Sequence, residues 1–173
     1  MAELLDSGIL LYGDDIRSKM NYPTYAQMRD DIARHVQAAR KCGVVVGWLL
    51  DIARGIYTLR TGKIIAKTDA GEWALENGLC PDKEAMQKAV RNRKEAHIGQ
   101  EKRVDNAVIQ RFANVIDEEF TNTIRRFVES ELQRMNTTYT TLSLIRNKDG
   151  VSVWRVMTEA DSYVAKCFDK PEY

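Results

Sequence analysis

Proline is scarce in this chain, with three among 173 residues, at positions 23, 81 and 171. Proline removes a backbone donor and breaks helix interiors, so its rarity leaves room for long helices. Cysteine is equally sparse. Cys42, Cys80 and Cys167 are odd in number and far apart, which argues against a disulfide framework and a CxxC metal site. A reduced, cytoplasmic compartment is the simplest setting for such thiols. No apolar run approaches the ~20 residues that span a bilayer, and no secretory leader is read, so no membrane association is expected. Net charge is nearly absent too. The 26 basic and 25 acidic residues leave +1, whereas dedicated nucleic-acid binders carry a clear basic excess, so a nucleic-acid partner is disfavoured. Histidine occurs only as His35 and His97. The remainder is ordinary for one soluble domain: 44% hydrophobic and 29% charged residues, at a length that buries about 70% of its unfolded surface.

The apolar residues that are present recur mostly at helical spacing. Leu4, Leu5, Ile9, Leu10 and Leu11 form a short apolar element closed by a turn at Gly13-Asp14-Asp15, and residues 14–23 read as irregular. Thr24 is placed to cap a helix to about Lys41 with Tyr25, Met28, Ile32 and Val36 inside, and Gly43 follows it. Val44 to Leu59 is the central helix. Its stripe is Trp48, Leu49, Ile52, Ile56 and Leu59, and it is apolar on most sides, which predicts that other helices surround it. Gly62 suits a left-handed C-terminal position. Thr68 or Asp69 then caps a helix over 69–77, Asp69 with Glu72 in a capping box. Pro81 opens a helix to about Ile98, broken by Gly99. A longer helix, from about Lys102 to Met135, carries Val104, Val108, Phe112, Val115, Phe120, Ile124, Phe127, Leu132 and Met135 on one stripe.

The end of the chain reads in two ways. Val151, Trp154, Met157, Ala160, Val164 and Phe168 follow the helical period after an Asp149 cap. Leu142–Ile145 and Val151–Val156 also flank Asn147-Lys-Asp-Gly150 as a β-hairpin would. The helical window is the longer and is preferred. The expected fold class is therefore all-α, a multi-helix bundle, with a small C-terminal β-hairpin as the alternative ending.

Tyr57-Thr-Leu-Arg-Thr-Gly-Lys-Ile-Ile-Ala-Lys-Thr-Asp-Ala-Gly-Glu-Trp-Ala-Leu75, followed by Glu95-Ala-His-Ile-Gly-Gln-Glu101, resembles the C-terminal helical domain of the streptomycin/spectinomycin adenylyltransferases. Those bacterial antibiotic-resistance enzymes transfer AMP from ATP to an aminoglycoside hydroxyl. Gly8-Ile-Leu-Leu-Tyr-Gly13 is similar to the segment that starts that domain. The resemblance covers about residues 4–101. It implies that 1–101 is the family's helical domain; 102–173, which the resemblance does not reach, is expected to be a long helix and C-terminal extension packed on the same domain. It also implies that Arg54 and Lys67 hold the ATP phosphates, and that His97, where relatives often carry Tyr, contacts the nucleotide. Cations at close range stabilise phosphate charge, and a lysine beside a helix N-terminus adds the helix dipole. Plainer readings stand beside these. Arg54 can be an ion-pair partner of Asp51 or Glu72, Lys67 a solvated surface cation, and His97 a helix-end residue.

The family's catalytic signatures are missing. No Gly-Ser pair occurs, and no Asp-x-Asp follows a Gly-rich strand, so no catalytic or metal-binding residue is assigned. Nucleotidyl transfer needs acidic metal ligands. Asp30-Asp31 and Glu118-Glu119 read as solvated helix-surface charges. The family places Trp and acids just before its central helix, whereas Lys41-Cys-Gly-Val-Val-Val46 has neither. The expectation is a helical nucleotide- and substrate-side portion, not catalytic by itself. It would use ATP with Mg only together with a catalytic subunit or domain. A homo-oligomer is a further partner considered. Two alternatives compete: a non-enzymatic helical interaction module, and a HEPN-like ribonuclease or toxin, because Arg91-Asn-Arg-Lys-Glu-Ala-His97 resembles that motif.

Overall fold

A computed structural model describes residues 5, 8–95, 103–148 and 151–168. Five helices precede a three-stranded antiparallel sheet among these residues. A single 3-10 turn at Arg17–Lys19 leads into α1, Tyr25–Cys42. Then come α2, Gly47–Thr61, α3, Lys67–Glu76, and α4, Lys83–Lys94. The long helix α5 is Asn106–Arg134. The strands are β1, Thr141–Lys148, β2, Val151–Met157, and β3, Ser162–Phe168. The chain divides into two compact units, 1–119 and 120–173. No helix among the described residues is long and apolar enough to cross a membrane.

In the first unit α2 is the hub, packed against α1, α3 and α4. Leu49, Leu50, Ile52, Ala53, Ile56 and Leu59 are all buried on it. The ends of its neighbours follow from local chemistry. Thr24 closes a full capping box on α1: its hydroxyl accepts from the Gln27 N–H, and its own N–H donates to Gln27 Oε1. Gly62 ends α2 at φ 69°, a left-handed conformation that a Cβ disfavours. Gly71 lets α3 close on its neighbours, since a Cβ there would lie 2.7 Å from both Leu50 Cδ2 and Val90 Cγ2.

Several boundaries differ from the sequence reading. Val44–Val46 are not helical: Val45 bridges Arg103, and the Val104 N–H donates to the Val44 carbonyl at 2.9 Å. A valine run suits extended backbone better than a helix start. The cap expected at Thr68 or Asp69 does not form. Helix α3 starts two residues earlier, at Lys67, with Ala66 as a cap that offers no side-chain acceptor. Asp82 rather than Pro81 marks the start of α4, its carboxylate accepting from the Ala85 N–H at 3.0 Å. Helix α5 buries Ile109, Phe112, Ala113 and Ile116, then Val128 and Leu132, while Phe127 on it and Met135 just past its end are exposed. A single continuous stripe therefore does not describe it.

The second unit corrects the preferred helix over 151–168 and bears out the alternative hairpin ending, to which a third strand is added. The sheet order is β1-β2-β3, with Trp154 paired to Leu144 and Ala165. Of the six helically spaced residues only Trp154 is fully buried. The inward set is Ser152, Trp154 and Val156, at strand period. Ser152 disguised that alternation because it is polar. It is buried nonetheless, and its hydroxyl accepts from the Trp154 indole N–H at 3.1 Å. Leu142, Val128 and Leu132 complete this core. Asp149, proposed as a cap, lies outside the described residues.

Candidate functional site

The central helix carries Asp51 and Arg54 one turn apart, and the first residue of α3 is Lys67. The left-handed turn at Gly62 reverses the chain so that Lys67 comes back beside α2. Its ammonium lies 2.8 Å from Asp51 Oδ1 and 3.0 Å from Oδ2. Arg54 Nη2 approaches the same Oδ1 at 3.2 Å. The Asp51 side chain is only 16% exposed, so one half-buried carboxylate gathers both cations. Two positive charges against one negative leave the trio net cationic. The anion that the two cations share is, in this state, a side chain.

Arg54 and Asp51 also line a cavity of about 270 Å³ between α1 and α2. Asp31, His35 and Trp48 stand on its wall. The His35 and Trp48 rings are 6.3 Å apart and tilted by 59°. Sequence reasoning missed Asp31 and His35 as cavity residues. Their spacing of four on α1 was the available signal, because it places both on one helix face. Asp31, Asp51 and Trp48 supply acids and an aromatic ring that the segment 41–46 lacks.

The remaining sequence candidates fall elsewhere. His97 lies outside the described residues. Arg91 is exposed on α4. Glu72 pairs with Lys94. Glu118 and Asp30 are exposed, but Glu119 is not a solvated charge. It is 3% exposed and takes hydrogen bonds from Arg60 Nε at 3.0 Å and Nη2 at 2.8 Å. The Arg60 guanidinium sits 5.8 Å from the Trp73 ring, which stacks edge-on against Tyr57 at 5.2 Å. The buried Cys80 thiol is pushed up to about 11 by desolvation, so it is neutral and unreactive. No cluster of three or more His, Cys, Asp or Glu able to hold a metal occurs among the described residues.

A protein-family model described as "Aminoglycoside adenylyltransferase, C-terminal domain" matches residues 24–119. That is more than half of the chain. The chain belongs to the aminoglycoside adenylyltransferase C-terminal domain family. The match starts at the Thr24 cap and ends at Glu119, where the two compact units divide. The first part of α5 therefore belongs to the family domain, beyond the limit near residue 101 that the sequence resemblance reached. Asp51, Arg54, Lys67 and the cavity all lie within this domain. Comparison with curated proteins and with solved structures gives no match.

Proposed function

We propose that the family domain of this chain is the nucleotide- and substrate-side half of an aminoglycoside-type nucleotidyltransferase, inactive by itself. A catalytic subunit or domain carrying the metal-binding carboxylates completes it. The observation that carries this reading is the convergence of Arg54 and Lys67 on one carboxylate. Asp51 holds the two cations where anionic phosphate oxygens would be received, and a triphosphate would displace it. Lys67 stands on the first turn of α3, where the helix dipole adds to its charge. His97 contacts the nucleotide in this reading. The cavity beside Arg54 suits a cationic acceptor: Asp31, which pairs with Arg34 in this structure, and Asp51, once a triphosphate has taken its two cations, can hold ammonium groups, and Trp48 offers a ring face. Mg bound with ATP would neutralise phosphate charge.

The test is an affinity purification of the chain, with retained proteins identified by mass. A retained protein carrying Gly-Ser and Asp-x-Asp signatures is expected. Calorimetry of that complex with Mg-ATP should then show Lys67→Ala weakening binding by more than about 1 kcal/mol, the scale of a charge-assisted contact. Equal affinity in the variant would sink the reading.

A second reading, a non-enzymatic interaction module, is favoured by one observation. Ile9, Leu11 and Tyr12 are 82%, 93% and 98% exposed, an apolar segment that suits a protein partner. Retention of a partner without the two signatures would select it.

A further inference from the structure

The sheet of the second unit has an inner face occupied by its core and an outer face that carries no acidic residue among those described. The register assigns the outer face directly. Ser152, Trp154 and Val156 point inward, so Val151, Val153, Arg155 and Met157 point outward. On β3 the outward partners include Val164, Lys166 and Phe168. On β1 a bulge between Leu144 and Arg146 inserts one residue and reverses the alternation. Without it Arg146 would share the inward face of Leu142 and Leu144. With it, Arg146 and Lys148 join Arg155 and Lys166 on the outer face.

Two cross-strand rows result. Arg146, Val153 and Lys166 form one, and Lys148, Val151 and Phe168 the next. Arg146 and Lys166 are two strand spacings apart, about 10 Å. All four cations are exposed, and Phe168 is 59% exposed. Arg146 and Lys148 each also engage another group of the chain. The nearby acids Glu159 and Asp161 sit in the β2–β3 connection, beside the opposite end row of Thr141, Met157 and Ser162. Among the described residues of the three strands, four cations and no acid are present, so the near-zero charge of the whole chain does not extend to this face.

We propose that this outer face binds a single-stranded nucleic acid, with its phosphates held by Arg146, Lys148, Arg155 and Lys166 and a base stacked on Phe168. Cations on all three strands suit a polyanion that crosses the sheet. An exposed aromatic in the row beside them suits an unpaired base, since stacking needs a π-face and no particular sequence. Apolar Val153 and Val164 between the cations leave room for the sugar and base edges. This binding is independent of the nucleotidyltransferase reading, because none of these residues lies in the family domain.

The experiment titrates the full chain with a labelled oligouridine by fluorescence anisotropy over a range of salt concentrations. The triple variant Arg146→Gln/Arg155→Gln/Lys166→Gln is expected to bind about tenfold or more weakly, and its log–log salt slope to fall by about 2, at ~0.7 per lost phosphate contact. Phe168→Ala should weaken binding with the slope unchanged. Lys88→Gln, at an exposed position on α4, should change neither. Absence of binding at low salt overturns the proposal, as does wild-type behaviour in the triple variant. An equal loss in Lys88→Gln would remove the assignment to the sheet. Equally tight binding of polyglutamate, lost in the same triple variant, would make the face a site for acidic protein instead. Circular dichroism of each variant confirms that a loss is not unfolding.

Discussion

The two compact units solve the burial problem differently. The family domain packs helices closely through small residues. Ala39, Ala53, Ala70, Ala74, Ala89 and Ala113 are buried, and Gly71 lies between Leu50 and Val90. The second unit has a short core centred on one large ring, Trp154, with Leu132, Leu142, Val128 and Val156 around it. Close helix packing spreads stability over many contacts and brings charged side chains from different helices together. An aromatic-centred core concentrates stability in one residue and leaves the opposite sheet face open for other uses.

The comparison breaks most readily at Trp154. Trp154→Ala should destabilise the second unit by about 3–5 kcal/mol, the range for a large aromatic removed from a packed core. Hydrogen exchange should show lost protection over 141–168 while 25–94 stays protected. Lost protection over 25–94 as well would mean that α5 couples the two cores.

Next in size is the Arg60–Glu119 pair of the first unit. Arg60→Met removes a partner from a buried carboxylate and should cost about 2–3 kcal/mol. The effect is below that of a fully buried pair because Arg60 is 34% exposed, which lets water screen it. Urea unfolding of Arg60→Met/Glu119→Leu should recover part of the loss. A double variant worse than the single would show that the pair contributes more than it costs to desolvate.

The smallest effect sharpens the view of close packing. Alanine at Gly71 gains about 1 kcal/mol of helix propensity but must displace buried Leu50 and Val90, at about 1–3 kcal/mol. A net loss of about 1 kcal/mol is expected. Gly55→Ala should lose less, because only one of its two close neighbours is fully buried: Ile116, with Cδ1 at 2.8 Å, whereas Ile32, with Cγ2 at 2.9 Å, is half-buried and has room to shift. Equal thermal shifts would show that the two helix approaches are equally rigid.

Local signals were legible wherever the cause lay within a few residues. Thr24, Gly43 and Gly62 marked helix ends that the structure contains. The family was legible from Tyr57–Leu75, because that stretch combines a helix end, a turn and a helix start in one specific string. Positions 151–168 were misread because β2 turns polar Ser152 inward, which broke the apparent alternation of apolar residues. Glu119 was misread because nothing near it in the chain reveals Arg60, 59 residues away. At the site, Asp51 beside Arg54 was one of the plain pairings considered. That Lys67 meets the same carboxylate depends on a turn and a helix pairing together.

The sequence by itself determined the helical character of most of residues 25–94 and of 106–134, several of the helix ends and the family, because each rests on short-range periodicity, capping or a contiguous string. Only the tertiary structure decided which charges meet. Asp51 with Lys67, Arg60 with Glu119, and the four cations of the outer sheet face are brought together by chain reversals, helix crossings and a bulge that resets strand parity. Those placements follow from packing between distant segments, and distance along the chain carries no record of them.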